Sequence, residues 1–163
     1  MNHDVQEAIK RSIMTEKSAM DFYLLCARQM DDAEARRIFE LLAREEREHA
    51  RQFYKLYAGD DLPELDILLS GAPDMHSTGI SLLKKLIDDC FCEKKALELA
   101  MSREKELKNR LLETAACIDD VEVKAVFELN ARETYNHYLM IEAEYARLMG
   151  MVDESDMDTY VRE

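Results

Sequence analysis

Apolar residues recur at helical spacing along four long stretches of the chain, with polar residues on the opposite faces. The first stretch carries Ile9, Ile13, Met20 and Tyr23 at intervals of three, four or seven residues. Such spacing places apolar side chains on one side of an amphipathic helix. The pattern predicts four long helices, which cover about residues 4–29, 32–58, 80–117 and 120–149.

The connections between these helices differ greatly in length. The pairs Asp31–Asp32 and Asp119–Asp120 are short breaks, so each pair of flanking helices forms an antiparallel hairpin. Residues 59–79 contain both prolines and three of the four glycines, which predicts one long crossover connection. Residues 150–163 form a polar, acidic tail. We expect a single all-α domain over residues 1–163, built as a four-helix bundle of two hairpins.

The two hairpins repeat one another in sequence at a distance of 88 residues. The phrase FELLAREEREH begins at Phe39, and FELNARETYNH begins at Phe127. The same shift places Glu16 on Glu104 without a gap. A repeat of this length indicates two copies of the same helical unit.

Acidic and imidazole side chains interrupt the apolar faces at equivalent places in the repeat. They are Glu16, Glu46, His49, Glu104 and His137. A buried carboxylate without a partner is costly, and several together repel one another. Two interpretations remain open: a bound cation, or a metal-free polar network of protonated acids and neutral histidines.

The chemistry of these residues favours a metal ion. Carboxylate and imidazole ligands suit iron or manganese, and zinc also accepts them. Glu46 and His49 are three residues apart, so they share a helix face and can bind one metal ion together. We expect an internal site for two metal ions.

The chain resembles the rubrerythrin-like branch of the ferritin-like superfamily over about residues 5–149. The residues that carry this resemblance are Glu16 in MTEKSAMDFY, the EEREH of the second helix, Glu104 in AMSREKEL and His137 in RETYNH. The resemblance implies a ferritin-like four-helix bundle and a di-iron site of two irons per chain. It also implies two-electron chemistry with peroxide or dioxygen, and a homodimer.

The chain departs from the rubrerythrin pattern in three respects. It lacks the cysteine set of the rubredoxin domain that supplies electrons in rubrerythrins. Leu107 stands where the family has a further glutamate, and Thr134 stands where the repeat predicts the partner of Glu46. Glu133 is a candidate substitute ligand, although Glu45 occupies the matching place in the first hairpin. We expect a firm metal site at Glu16, Glu46 and His49, and a weaker one at Glu104 and His137.

Together with the buried ligand set, the resemblance implies an oxidoreductase that acts on peroxide or dioxygen, and without a rubredoxin domain we expect it to take electrons from an external donor. Two alternatives remain: an iron-binding or iron-handling protein without redox turnover, and a structural bundle whose metal site has decayed. The catalytic residues cannot be assigned from the sequence.

Composition narrows the choice of partners. The formal net charge of −13 repels nucleic acids and anionic membranes, so we expect neither as a partner. No stretch is apolar enough to span a membrane, and the first residues do not resemble a signal peptide. The four cysteines form no C-x-x-C motif and are expected to be free thiols. We therefore expect a cytoplasmic protein.

Overall fold

The computed structural model describes residues 2–150, and its regular structure consists of helices. In chain order they are α1 (His3–Gln29), α2 (Ala33–Leu56), α3 (Leu65–Ser70), α4 (Thr78–Cys90), α5 (Glu93–Ala116) and α6 (Val121–Leu148). The acidic tail over residues 151–163 lies outside the described part of the chain. The predicted all-α fold is confirmed.

Two antiparallel hairpins form the body of the bundle. Helix α1 packs along α2, α5 packs along α6, and α2 also contacts α6. The turns between paired helices follow the repeat, because Asp32 and Asp120 are equivalent and both cap a helix. The Asp32 side chain accepts a hydrogen bond from Ala35 N at 2.9 Å, and Asp120 accepts one from Val123 N at 3.0 Å. These caps satisfy backbone donors at the starts of α2 and α6.

The third predicted helix, residues 80–117, is wrong as one element. The structure divides it into α4 and α5, because Phe91 and Cys92 adopt extended backbone angles. The break lets α4 contact both α1 and α5, and it buries Ile80 and Leu83 in the core. The Glu93 carboxylate then accepts hydrogen bonds from two backbone N–H groups of the α1–α2 turn. No proline or glycine marks this break in the sequence.

The crossover, predicted as a connection over residues 59–79, contains the short helix α3 and the first residues of α4. It is held against α1 by Lys17, whose Nζ pairs with Asp21 at 2.6 Å and donates to the carbonyl of Gly71 at 3.1 Å.

Within residues 2–150, no helix has the length and apolar character that a membrane span requires.

The apolar core consists of two clusters. One contains Ile13, Phe53 and Phe127, and the other contains Tyr23 and Leu42. On α1, α5 and α6 the polar residues that interrupt the apolar stripes lie between members of the two clusters in sequence, and on α2 they lie between Leu42 of one cluster and Phe53 of the other. The fold therefore encloses a polar layer in the middle of an apolar bundle.

Candidate metal centre

Five acidic and imidazole side chains from all four long helices meet in this polar layer. They are Glu16 on α1, Glu46 and His49 on α2, Glu104 on α5, and His137 on α6, and each is at most 2% exposed. These are the five residues that the sequence singled out as candidate ligands. The structure brings all five together in one layer.

Glu46 lies at the centre of the layer, between the two histidines. Its Oε2 lies 2.9 Å from His49 Nδ1, and its Oε1 lies 3.1 Å from His137 Nδ1. The two imidazole rings are nearly parallel, with centroids 5.2 Å apart. Each oxygen of one carboxylate therefore serves one histidine, and Glu46 is shared by both halves of the site.

One further glutamate, which contacts only one of the two histidines, completes each half of the site. Glu16 Oε2 lies 3.9 Å from His49 Nδ1, and Glu104 Oε2 lies 4.0 Å from His137 Nδ1. Two groups of potential ligands result, Glu16–Glu46–His49 and Glu46–Glu104–His137, in each of which the ligand atoms lie within 4.8 Å of one another. The two groups have the same composition.

The outer nitrogens of the histidines contact carboxylates from the opposite hairpin. His49 Nε2 lies 2.7 Å from Glu133, and His137 Nε2 lies 2.6 Å from Glu45. A carboxylate only accepts hydrogen bonds, so both Nε2 atoms carry protons. This arrangement aims both Nδ1 atoms inward and is typical of the support around metal-bound histidine.

These contacts determine the place of Glu133. Its side chain is 38% exposed, and it belongs to neither group of potential ligands. Glu133 makes the same kind of contact as Glu45, its equivalent in the repeat. The sequence shows this equivalence but does not show which residues the two glutamates contact. Their recurrence at the same position of the repeat is the sequence signal that the two glutamates make equivalent contacts.

Thr134 occupies the place that matches Glu46 in the second hairpin. Its side chain is fully buried, and its Oγ1 has no hydrogen-bond partner. A carboxylate there would complete the repeat, so the layer contains three central carboxylates instead of four. Since Glu46 serves both groups, this loss does not remove a ligand from one half alone.

Tyr23 makes the two halves different. Its buried hydroxyl donates a hydrogen bond to Glu104 Oε1. Leu111 occupies the equivalent position in the repeat and cannot do this for Glu16. Both oxygens of Glu16 are buried without a hydrogen-bond partner, whereas Glu104 has one such oxygen.

The protonation of the layer reflects burial and crowding of like charges. Without a bound cation, burial raises the pKa of Glu16 well above its ordinary value, and the charge of Glu46 raises it further. The same two causes raise the pKa of Glu104 to about 8. Burial also acts against ionisation of Glu46, but hydrogen bonds from His137 and His49 hold its pKa far below the usual range.

The pKa values of both histidines shift in the opposite direction to that of an ordinary buried imidazole. Burial lowers their pKa, but the hydrogen bond to Glu46 and its charge raise the pKa of His49 to about 10 and that of His137 to about 9. Protons on Nδ1 thus compensate the charge of Glu46. Metal ligands must be deprotonated, so a cation bound here would replace these protons.

The donor set fits a pair of metal ions. Glu16 presents two buried oxygens without partners, and such groups are costly unless something compensates them. Buried carboxylates and inward-facing imidazoles suit iron, manganese or zinc. In their charged form these oxygens have no hydrogen-bond donor, so the donor set supports the cation interpretation.

Comparison with family models gives one match, to Rubrerythrin, over residues 7–145. No curated protein and no solved structure matches the chain in the corresponding comparisons. The matched region includes both hairpins and all five residues of the polar layer. The chain belongs to the rubrerythrin family.

Proposed function

We propose that the protein is a di-iron oxidoreductase that reduces peroxide or dioxygen with electrons from an external donor. The observation that carries this proposal is the burial of Glu16, whose two carboxylate oxygens face the polar layer without a partner. Family membership supports iron as the metal. When bound, two irons would each supply one electron to an oxygen substrate.

The side chains of the layer have distinct tasks in this proposal. Glu46 would bridge the two ions, because its oxygens already serve both histidines. Glu16 with His49, and Glu104 with His137, would hold one ion each. The apolar clusters on either side exclude water and keep the electrostatic interactions strong.

Glu45 and Glu133 would keep the histidines in the ligating tautomer by accepting their Nε2 protons. Tyr23 would hold Glu104 by one oxygen and restrict it to binding through the other. This difference supports unequal affinity of the two ions, with Glu16, Glu46 and His49 forming the firmer site.

Two pockets approach the layer on the face between α1 and α5. A cavity of 250 Å³ reaches Glu16, and a neighbouring groove of 420 Å³ reaches Glu104 and Tyr23. Leu107, at the position of the further family glutamate, lines both. A small oxygen substrate would therefore approach Glu16 and Glu104 between these helices.

The missing carboxylates favour a second candidate function. Thr134 and Leu107 stand where the repeat and the family pattern place glutamates, and fewer fixed ligands make iron easier to release. An iron-handling protein would use the same layer without redox turnover.

For either function, we place the protein in the cytoplasm, because its four cysteines are free thiols.

Repeated turnover separates the two functions. The protein loaded with iron would be mixed with hydrogen peroxide and excess reductant, and peroxide consumption would be followed over many equivalents. The oxidoreductase consumes peroxide far beyond its iron content. Consumption that stops at one equivalent per pair of irons would leave only iron handling.

The matched control replaces a surface histidine. His49→Ala should abolish iron-dependent turnover and lower bound iron per chain, whereas His76→Ala should change neither, since His76 lies exposed in the crossover. Undiminished iron in His49→Ala would contradict the proposed ligand set. Protein that binds no iron or other metal would indicate a structural bundle with a decayed site.

A further inference from the structure

An exposed stripe of aromatic, aliphatic and basic side chains runs along the outer face of α5 and α6. The rings of Tyr135 and Tyr138 are nearly parallel, with centroids 6.2 Å apart. Lys108 Nζ lies 4.9 Å from the centroid of Tyr135, and Lys105 Nζ lies 5.5 Å from that of Tyr138. We call this surface the α5–α6 patch; it comprises Lys105, Lys108, Leu112, Tyr135, Tyr138 and Leu139.

In the first hairpin the crossover covers part of the equivalent face, although Leu24, the equivalent of Leu112, is exposed. Lys17 and Arg47 match Lys105 and Tyr135 of the patch, Tyr54 matches Glu142 beside it, and each bonds to the crossover within residues 63–72. Lys17 donates to a carbonyl at 3.1 Å, Arg47 pairs with a carboxylate at 2.9 Å, and Tyr54 donates to a carbonyl at 3.0 Å. Two copies of one design thus differ in whether this face is packed under the chain.

Nothing in residues 2–150 gives the α5–α6 patch such a cover. Tyr135 and Leu112 are each 45% exposed, and Leu139 is 41% exposed. Grouped exposed apolar side chains with basic neighbours often mark interaction sites. The patch spans six residues, whereas a stable interface takes about 20–30 on each side. Its size fits a transient encounter.

The patch lies directly outside one half of the metal centre. Lys105 follows the candidate ligand Glu104, and Tyr138 follows the candidate ligand His137. Each of these two patch residues is therefore the immediate neighbour of a candidate ligand along the chain. No candidate ligand of the centre is itself exposed. This proximity suits the transfer of electrons from a partner that cannot enter the bundle.

The charge of the patch indicates the kind of partner. The chain as a whole carries a formal charge of −13, but neither Lys105 nor Lys108 pairs with a carboxylate in the described part of the chain. The nearby acid Glu142 accepts a hydrogen bond from Tyr138 at 3.0 Å. An acidic partner is repelled by most of the surface and attracted at the patch, which orients its approach.

We propose that the α5–α6 patch is the docking surface for a small acidic electron-carrier protein, an inference that rests on the proposed oxidoreductase function. In each encounter the reduced carrier loses one electron and the metal centre gains one. Two encounters supply two electrons, which with two protons convert one hydrogen peroxide to two waters.

The decisive experiment compares two double variants of equal charge. Lys105→Glu/Lys108→Glu reverses the sign of the charge on the α5–α6 patch. Lys55→Glu/Lys85→Glu reverses two exposed lysines elsewhere and makes the same change of four charge units, two at each lysine. The probe is a small acidic iron–sulfur protein, reduced chemically, and a basic haem protein of similar size serves as the comparison probe.

Two readouts separate docking from the chemistry of the centre. Calorimetry measures binding of the oxidised acidic carrier to protein prepared without iron. Stopped-flow spectroscopy measures oxidation of the reduced carrier by iron-loaded protein and peroxide. We expect the patch variant to lose about tenfold or more in both its affinity for the carrier and its rate of carrier oxidation. The control variant should change by less than about twofold in either quantity. Peroxide reduction driven by a small-molecule reductant should be equal in all proteins.

The other outcomes overturn the proposal in recognisable ways. Equal losses in both variants would mean that net charge alone acts, and a preference for the basic probe would refute the acidic partner. A dimer that dissociates on patch reversal would assign the surface to a second copy. Carrier binding that appears only after removal of residues 151–163 would assign it to that segment. If the small-molecule reductant also fails with the parent protein, the proposed function fails instead.

Discussion

Glu104→Gln should stabilise the protein when no metal is bound, although it removes a candidate ligand. Glu104 is 2% exposed, and its pKa rises from 4.5 to about 8 because of burial and the charge of Glu46. A carboxyl whose pKa is raised by folding binds its proton more tightly in the folded state. Its cost to stability is absent below pH 4.5 and grows as pH rises towards 8.

The magnitude follows from this shift. At pH 7 the folded protein must keep protonated a group that would ionise freely when unfolded, which costs about 3 kcal/mol, at about 1.4 kcal/mol per pH unit above 4.5. Glutamine has the same shape without that charge, and its carbonyl can still accept the hydrogen bond from Tyr23. The fraction of Glu104 that does ionise in the folded state is attracted to His137 at 4.0 Å, so about 3 kcal/mol is an upper value.

Urea unfolding in the presence of a chelator measures this effect. The free energies of unfolding of parent and variant should agree at pH 4.5 and diverge in favour of the variant by pH 7. Added Mn²⁺ should then stabilise the parent more than the variant, since only the parent keeps the full donor set. A variant that is less stable at pH 7 with chelator, or a difference that does not change with pH, would refute this account of the buried layer.

Four further substitutions, made in three experiments, test the remaining parts of the centre. Glu45→Ala or Glu133→Ala should weaken metal binding by about 10–100-fold, because each removes the acceptor that orients a histidine; Glu48→Ala on the same face is the control, and an equal loss there would contradict the orienting role. Tyr23→Phe should release one oxygen of Glu104 and make the two steps of an anaerobic metal titration more alike; unchanged, unequal steps would show that Tyr23 is not the source of the asymmetry. Thr134→Glu should tighten metal binding in calorimetry by restoring the fourth carboxylate, and it should lower stability in chelator at pH 7; unchanged affinity would mean that Thr134 does not face the metals.

Much of the fold and of the polar layer could be predicted from the sequence because the signals are local and repeated. The apolar spacing defines the helices, and the shift of 88 residues pairs Glu16 with Glu104 and His49 with His137. A charged residue on an apolar stripe reports burial without any knowledge of its neighbours. The structure adds that these stripes meet at one level of the bundle.

The features that could not be predicted depend on contacts between distant segments. The break at Phe91 and Cys92 arises because α4 packs across α1 and α5, which no local sequence signal records. Glu133 contacts the histidine of the other hairpin, 84 residues away, and not the histidine four residues along its own helix. Spacing along one helix could not distinguish these two partners.

In the proposed centre one carboxylate, Glu46, serves two metal ions. Anaerobic titration of the purified protein with ferrous iron, followed by removal of free metal and elemental analysis, tests this sharing. We expect two irons per chain in the parent and loss of both in Glu46→Gln, since Glu46 belongs to both groups of ligands. Retention of one or both irons by Glu46→Gln would contradict it.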